Sequence, residues 1–137
     1  MVTTIGIEAM IPRGAYSEYG LLGLSGTYES AQSVLRLEVP WTQADGAPWS
    51  PAPGYALASP RVGLPQEFAH AVLEGIDAAS RDRLAGGVLS VRAAAHCPVG
   101  SNPNIMGRLA RACVGLMLRG DMRDDELRAF LETVLLR

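Results

Sequence analysis

The sequence predicts an α+β sandwich in which a mostly antiparallel sheet is covered by two helices, with a further helix at the C-terminus. Two observations lead there. Alternating apolar residues mark three strand-like segments in the first third of the chain, and a strand between two amphipathic stretches follows, each helix closed by glycine. A content of 48% hydrophobic residues in 137 supports one domain with its own core. The core is expected over about residues 5–119, with the extra helix over about 121–136.

Ile5 to Ile11 alternates through Ile5, Ile7, Ala9 and Ile11, which suits a strand with one buried face, and Pro12-Arg13-Gly14 ends it. Ala15 to Thr27 carries Tyr16, Tyr19, Leu21, Leu22 and Leu24 among interior glycines, and is expected to be an irregular strand that bends or comes close to another backbone. Ser33 to Trp41 has the cleanest alternation, with Leu35, Leu37 and Val39 on one side and Val34, Arg36 and Glu38 on the other. Thr42 to Gly63 is rich in proline, glycine, alanine and serine, and reads as a long loop. Trp49 and Tyr55 are expected to pin it to the body.

Leu64 to Leu84 reads as a helix with Pro65 and Glu67 in its first turn. Its buried stripe is Phe68, Val72, Leu73, Ile76 and Ala79, with Gly75 allowing close packing on the sheet. Val88 to Ala95 is the central strand, and His96 and Cys97 stand at its end. Ser101 or Asn102 before Pro103 is the arrangement of a cap and a first-turn proline, so a helix starts near Pro103. Ile105, Met106, Leu109, Ala112, Cys113, Leu116 and Met117 form its apolar stripe, leaving Arg108, Arg111 and Arg119 outside it. Gly120 stops this helix. Asp121 is expected to cap a last one through Leu127, Phe130, Leu131, Val134 and Leu135.

Composition narrows the function classes. The net charge is −2, and all twelve basic residues are arginine, so there is no diffuse basic field and no lysine for a Schiff base. No apolar run reaches the length of a bilayer span and no signal segment is evident, so the expected compartment is the cytoplasm, without membrane association. Two cysteines without CxxC or Cys/His spacing point to no disulfide framework and no metal, and no cofactor motif is evident.

The element order strand, strand, strand, helix, strand, helix is that of the ribosomal protein S5 domain 2-like fold. GLPQEFAHAVLEGIDAA followed by GGVLSVRAAAHCPVGSNPNIMGRLARA resembles domain IV of translation elongation factor G. Pro65, Glu67, Phe68, Ala71, Val72, Gly75 and Ile76 match its P-x-E-[FY]-x-x-A-V-x-x-G-I helix, and SEYGLLGLSG is similar to its QYG-containing loop. The resemblance covers about two thirds of the chain. It implies a binding module that meets the ribosome or RNA through two loops, Tyr16 to Gly20 and His96 to Asn102. There is no GxxxxGK[ST] motif for GTPase chemistry.

Read residue by residue, the chemistry-bearing groups leave alternatives open. Tyr16 and Tyr19 are candidate contacts on the first loop. Gly100, Ser101 and Asn102 at a helix start offer backbone N–H groups to an anion or form a plain cap. Arg108 and Arg111 hold an RNA phosphate or a small acidic metabolite, or only a solvated face. His96, His70 and Glu67 are the proton-transfer candidates of a second reading, a cofactor-independent acid-base enzyme with the Trp49 loop as lid. His96 and Cys97, adjacent on a strand, point to opposite faces, with Cys97 packed and His96 at the surface. A third reading is a homo-oligomeric scaffold joined through the last helix.

Overall fold

In the computed structural model, which describes residues 2–27, 35–40, 46–50, 60–81, 83–84 and 86–136, the chain begins with a long hairpin. β1 (Val2–Arg13) and β2 (Tyr16–Thr27) pair antiparallel over their whole lengths. Their two-residue connection needs a left-handed first position, which Gly14 supplies with φ 75°. The remaining elements are β3 (Leu35–Glu38), β4 (Arg61–Val62), α1 (Gln66–Ser80), β5 (Gly87–His96), α2 (Pro103–Arg119) and α3 (Asp124–Leu136). The sheet order is β1-β2-β5-β3, with β4 also on β5. Only the β3–β5 pairing is parallel, so the sheet is mostly antiparallel and the fold is α+β.

Directly opposed residues share a face, which sorts the sheet into two sides. Ile5, Ile7, Ala9 and Ile11 of β1 lie opposite Leu24, Leu22, Gly20 and Glu18 of β2, and this side packs under the helices. Phe68, Val72 and Ile76 of α1 and Ile105, Met106, Leu109 and Cys113 of α2 complete that core. The other side carries a smaller cluster of Tyr19, Ala95 and Cys97 with Met10 and Leu21 against it.

Glycines decide how closely the layers approach. A Cβ on Gly20 would stand 2.7 Å from Leu109 Cδ1, so α2 rests on β2 at that point. A Cβ on Gly75 would stand 2.5 Å from the Gly107 carbonyl oxygen. Gly75 therefore brings α1 against α2 and not against the sheet, correcting the expectation from the sequence. The helix stripe also loses Leu73, which is exposed, because it lies on the flank of α1 away from α2.

Several boundaries differ from the sequence reading for local reasons. β2 pairs with β1 without interruption over 12 residues, but its register with β5 shifts between Gly23 and Leu24, and a Cβ on Gly23 would stand 3.7 Å from the backbone nitrogen of Ala93, so the expected irregularity and close approach are both found there. β3 keeps only Leu35–Glu38, the stretch in register with Gly87–Ser90; Ser33, Val34 and Trp41 lie outside the described residues. Pro65 is the N-cap of α1, its carbonyl accepting from Phe68 N and Ala69 N, and the helix starts one residue later. α3 starts at Asp124, and its first described backbone bond runs from Leu127 N to Arg123 O, so Asp121 does not cap it. Within the expected long loop, β4 pairs with β5 and Pro48 bridges Arg61. Tyr55 lies outside the described residues.

α3 docks on α2 of its own chain. Phe130 covers Gly115, the Arg119 guanidinium sits 5.2 Å over the Phe130 ring, and Leu135 is buried. The apolar stripe that suggested docking to another subunit is thus largely used internally. No helix among the described residues is long and apolar enough to cross a membrane.

Candidate functional site

The β1–β2 turn and the loop after β5 meet at one end of the molecule. Tyr19 N donates to Gly100 O at 3.0 Å, and Ser101 Oγ donates to Tyr19 O at 2.6 Å while accepting from Cys97 N at 2.8 Å. Gly100 has φ 113°, and a Cβ there would fall 2.5 Å from Ser17 O. Only glycine lets the second loop lie on the first.

Asn102 locks the same joint. Its Oδ1 accepts from Ile105 N at 3.0 Å as the cap of α2, and its Nδ2 donates to Glu18 at 2.8 Å. Glu18 also accepts from Arg13 Nε at 2.7 Å. Burial alone would raise the Glu18 carboxyl, but the hydrogen bonds from Asn102 and Arg13 and the charges of Arg13 and Arg108 outweigh it and hold it below the ordinary carboxylate value. Glu18 is therefore a charged, nearly buried bolt between the two loops.

The candidate side chains are engaged in different ways. Those of Ser101 and Asn102 are taken up by the joint and by the plain cap that was one of the two expected readings, and Ser101 N is bonded to Cys97 O at 3.2 Å. Tyr19 is fully buried on the outer face, where its hydroxyl donates to Glu8 Oε2 at 2.6 Å. Burial, then the hydrogen bond to Glu8 and its charge, raise the Tyr19 phenol well above its usual range, so it stays a neutral donor and offers no ring for stacking. Arg108 turns toward α3 and donates to Leu135 O at 3.2 Å instead of pointing to solvent. The large apolar side chains that remain open at this end are Tyr16, 54% exposed, and Val99, 64% exposed, on the two joined loops.

Arg111 is exposed and lines a groove of 340 Å³ between α1 and α2 with Ala71, Glu74, Gly75, Ala78, Pro103, Asn104 and Gly107. Gly75 and Gly107 are also where the two helices touch, since a Cβ on Gly75 would stand 2.5 Å from Gly107 O and one on Gly107 3.3 Å from Ala71 O. Trp49 Nε1 donates to Glu8 at 3.1 Å, and Trp49 N and Val62 N bond to Pro60 O and Ala47 O, so this part of the 42–63 segment is tied to the sheet.

The acid-base candidates differ in exposure. His96 is 2% exposed, its ring edge-on to Phe68, and its Nδ1 donates to Gly63 O at 3.0 Å. It is thus buried on the helix side, where the sequence suggested a surface histidine, because β4 and α1 close over that strand end. Cys97 faces the opposite side with Tyr19, as strand alternation requires. His70 and Glu67 are exposed on α1. Cys113 lies in the core, and burial pushes its thiol up to about 12. Among the described residues no group of three or more histidine, cysteine, aspartate or glutamate side chains is placed to hold a metal ion. The Glu18 joint and the Glu8 anchor were missed from sequence, where no spacing rule links residues on separate elements.

No family model and no curated protein matches the chain. Among solved structures, a protein from Thermus thermophilus is similar, with a TM-score of 0.56 and 17% identity. The match covers 80% of this chain and 14% of that chain, so this sequence corresponds to a small part of a much longer protein. At that identity the likeness is one of fold.

Proposed function

We propose that the protein is a binding module similar to domain IV of elongation factor G that meets the ribosome or its RNA through the tip formed by Tyr16 and the loop Pro98 to Gly100. The observation that carries this reading is the joint itself. Two loops whose bonded residues Tyr19 and Ser101 stand 82 apart in sequence are fixed to one another by Gly100, Ser101, Asn102 and Glu18, and they leave Tyr16 and Val99 facing solvent. A rigid tip bearing an exposed aromatic ring loses little conformational entropy on docking and presents a surface on which a base stacks. The residues matching the domain-IV helix pattern support the same reading through packing: Phe68, Val72 and Ile76 are buried, and Gly75 sets the contact with α2.

The arginines shape the expected binding. Arg13 is engaged by Glu18 and Arg108 by Leu135 O, which leaves Arg111, exposed at the middle of α2, as the cation of that helix closest to the tip. Few phosphates are neutralised, so the salt dependence is shallow. In co-sedimentation of the purified protein with ribosomes over a salt series, binding should saturate, and the logarithm of affinity should fall with a slope of about −1 to −2 against the logarithm of salt. Absence of binding at low salt would remove the ribosome from the account. A much steeper slope would place the contact on arginines away from the tip.

A further inference from the structure

Among the described residues β1 ends the sheet on one side, and its outer edge has few of the features that keep an edge strand from pairing. It runs for 12 residues in unbroken register with β2. Natural edges are guarded by bulges, prolines, lysines or short length. Between Thr3 and Ile11 the only charge on β1 is Glu8, and there is no proline before Pro12. The opposite edge is different: β3 has four residues with the Arg36–Glu38 ion pair on it, and β4 has two. Ile5 and Ile7 are only partly buried at the margin of the main core, on the side of the sheet that a further strand would extend.

We propose that β1 pairs antiparallel with β1 of a second copy of this chain, across a two-fold axis at Ile7, joining the two sheets into one. Opposed residues must share a face, which restricts the axis to a residue position and not the gap between two. With the axis at Ile7, the helix side sets Ile7 against Ile7, Ile5 against Ala9 and Thr3 against Ile11. The outer side sets Glu8 against Gly6 and Thr4 against Met10. An axis at Glu8 opposes two carboxylates. Axes at Gly6 or Ala9 shorten the overlap, and the latter also brings Arg13 into the paired stretch, whereas the Ile7 axis leaves Pro12 at its very end opposite Val2. The contact is isologous and closes at two copies, and the short β3 and β4 strands give β1 no comparable edge on which to build a ribbon.

Gly6 gives a test that leaves the subunit intact. It is exposed, and a Cβ added there meets nothing within 4 Å. In the proposed register position 6 faces the partner's Glu8 twice per dimer, so Gly6→Glu adds two like-charge contacts and Gly6→Lys two opposite-charge ones. Sedimentation velocity over a concentration series should show a monomer–dimer equilibrium for the unaltered protein. Gly6→Glu should raise Kd by about two- to thirtyfold and Gly6→Lys should lower it by a similar factor. Circular dichroism of dilute samples should show all three folded alike. A protein still monomeric at about 1 mM would overturn the proposal, and so would two charge variants that shift the equilibrium in the same direction or leave it unmoved.

Discussion

Gly75→Val should cost about 3 kcal/mol of folding stability, the upper end of what overpacking does in a well-filled interior. The first added carbon would already lie 2.5 Å from the Gly107 carbonyl and 3.0 Å from Ala110 Cβ. The nearer neighbour is backbone, so relief requires α1 to move off α2, and both helices rest on the same sheet. Glycine is a poor helix former, and replacing it ordinarily gains about 1 kcal/mol; here the contact outweighs that gain. Gly6→Ala is the matched control, because Gly6 faces open space. Urea unfolding of both variants measures the difference. A Gly75→Val midpoint equal to that of Gly6→Ala would mean that the two helices do not meet as closely as described.

The second large effect concerns Glu18 and acid. Its folded-state pKa lies below the unfolded value near 4.5 because the favourable partners at the tip outweigh the cost of burial. A group depressed in this way contributes stability that is complete above the unfolded pKa and lost as pH falls through the folded one. Glu18→Gln should therefore be about 2 kcal/mol less stable than the unaltered protein at neutral pH, a magnitude set by loss of charge-assisted hydrogen bonds from Arg13 and Asn102. The gap should stay constant down to about pH 5 and shrink below it as the native carboxylate protonates. Urea titrations at several pH values give the comparison. A difference that grows on acidification would contradict the depressed pKa.

Local patterns in the sequence were reliable wherever the physics is local. The Asn102-Pro103 start of α2 rests on a cap that bonds three residues ahead, and the structure has that bond. Six of the seven stripe residues expected on α2 are buried, Leu116 being only partly so, and Gly120 ends the helix with a positive φ. The glycines of β2 carried two meanings at once, because a glycine in a strand marks either an irregularity or a close neighbour: the register with β5 shifts at Gly23, and α2 packs on Gly20. Two-residue β4 is too short to carry a period. Arg108 looked like a solvent-facing charge because its partner, the Leu135 carbonyl, belongs to a helix 27 residues away. The tip joint was legible only as two loops; the Glu18–Asn102 bond that unites them spans 84 residues.

The most direct measurement of the central claim is a ribosome-binding isotherm for the protein carrying Tyr16→Ala and Val99→Asp together, beside the unaltered protein at the same salt. Both side chains are exposed, so the fold should be unaffected, as circular dichroism can verify. If the tip is the contact, losing one stacking ring and placing a carboxylate beside it should weaken binding at least about tenfold. Unchanged affinity in a folded double variant would contradict the account and move the functional surface away from this end of the molecule.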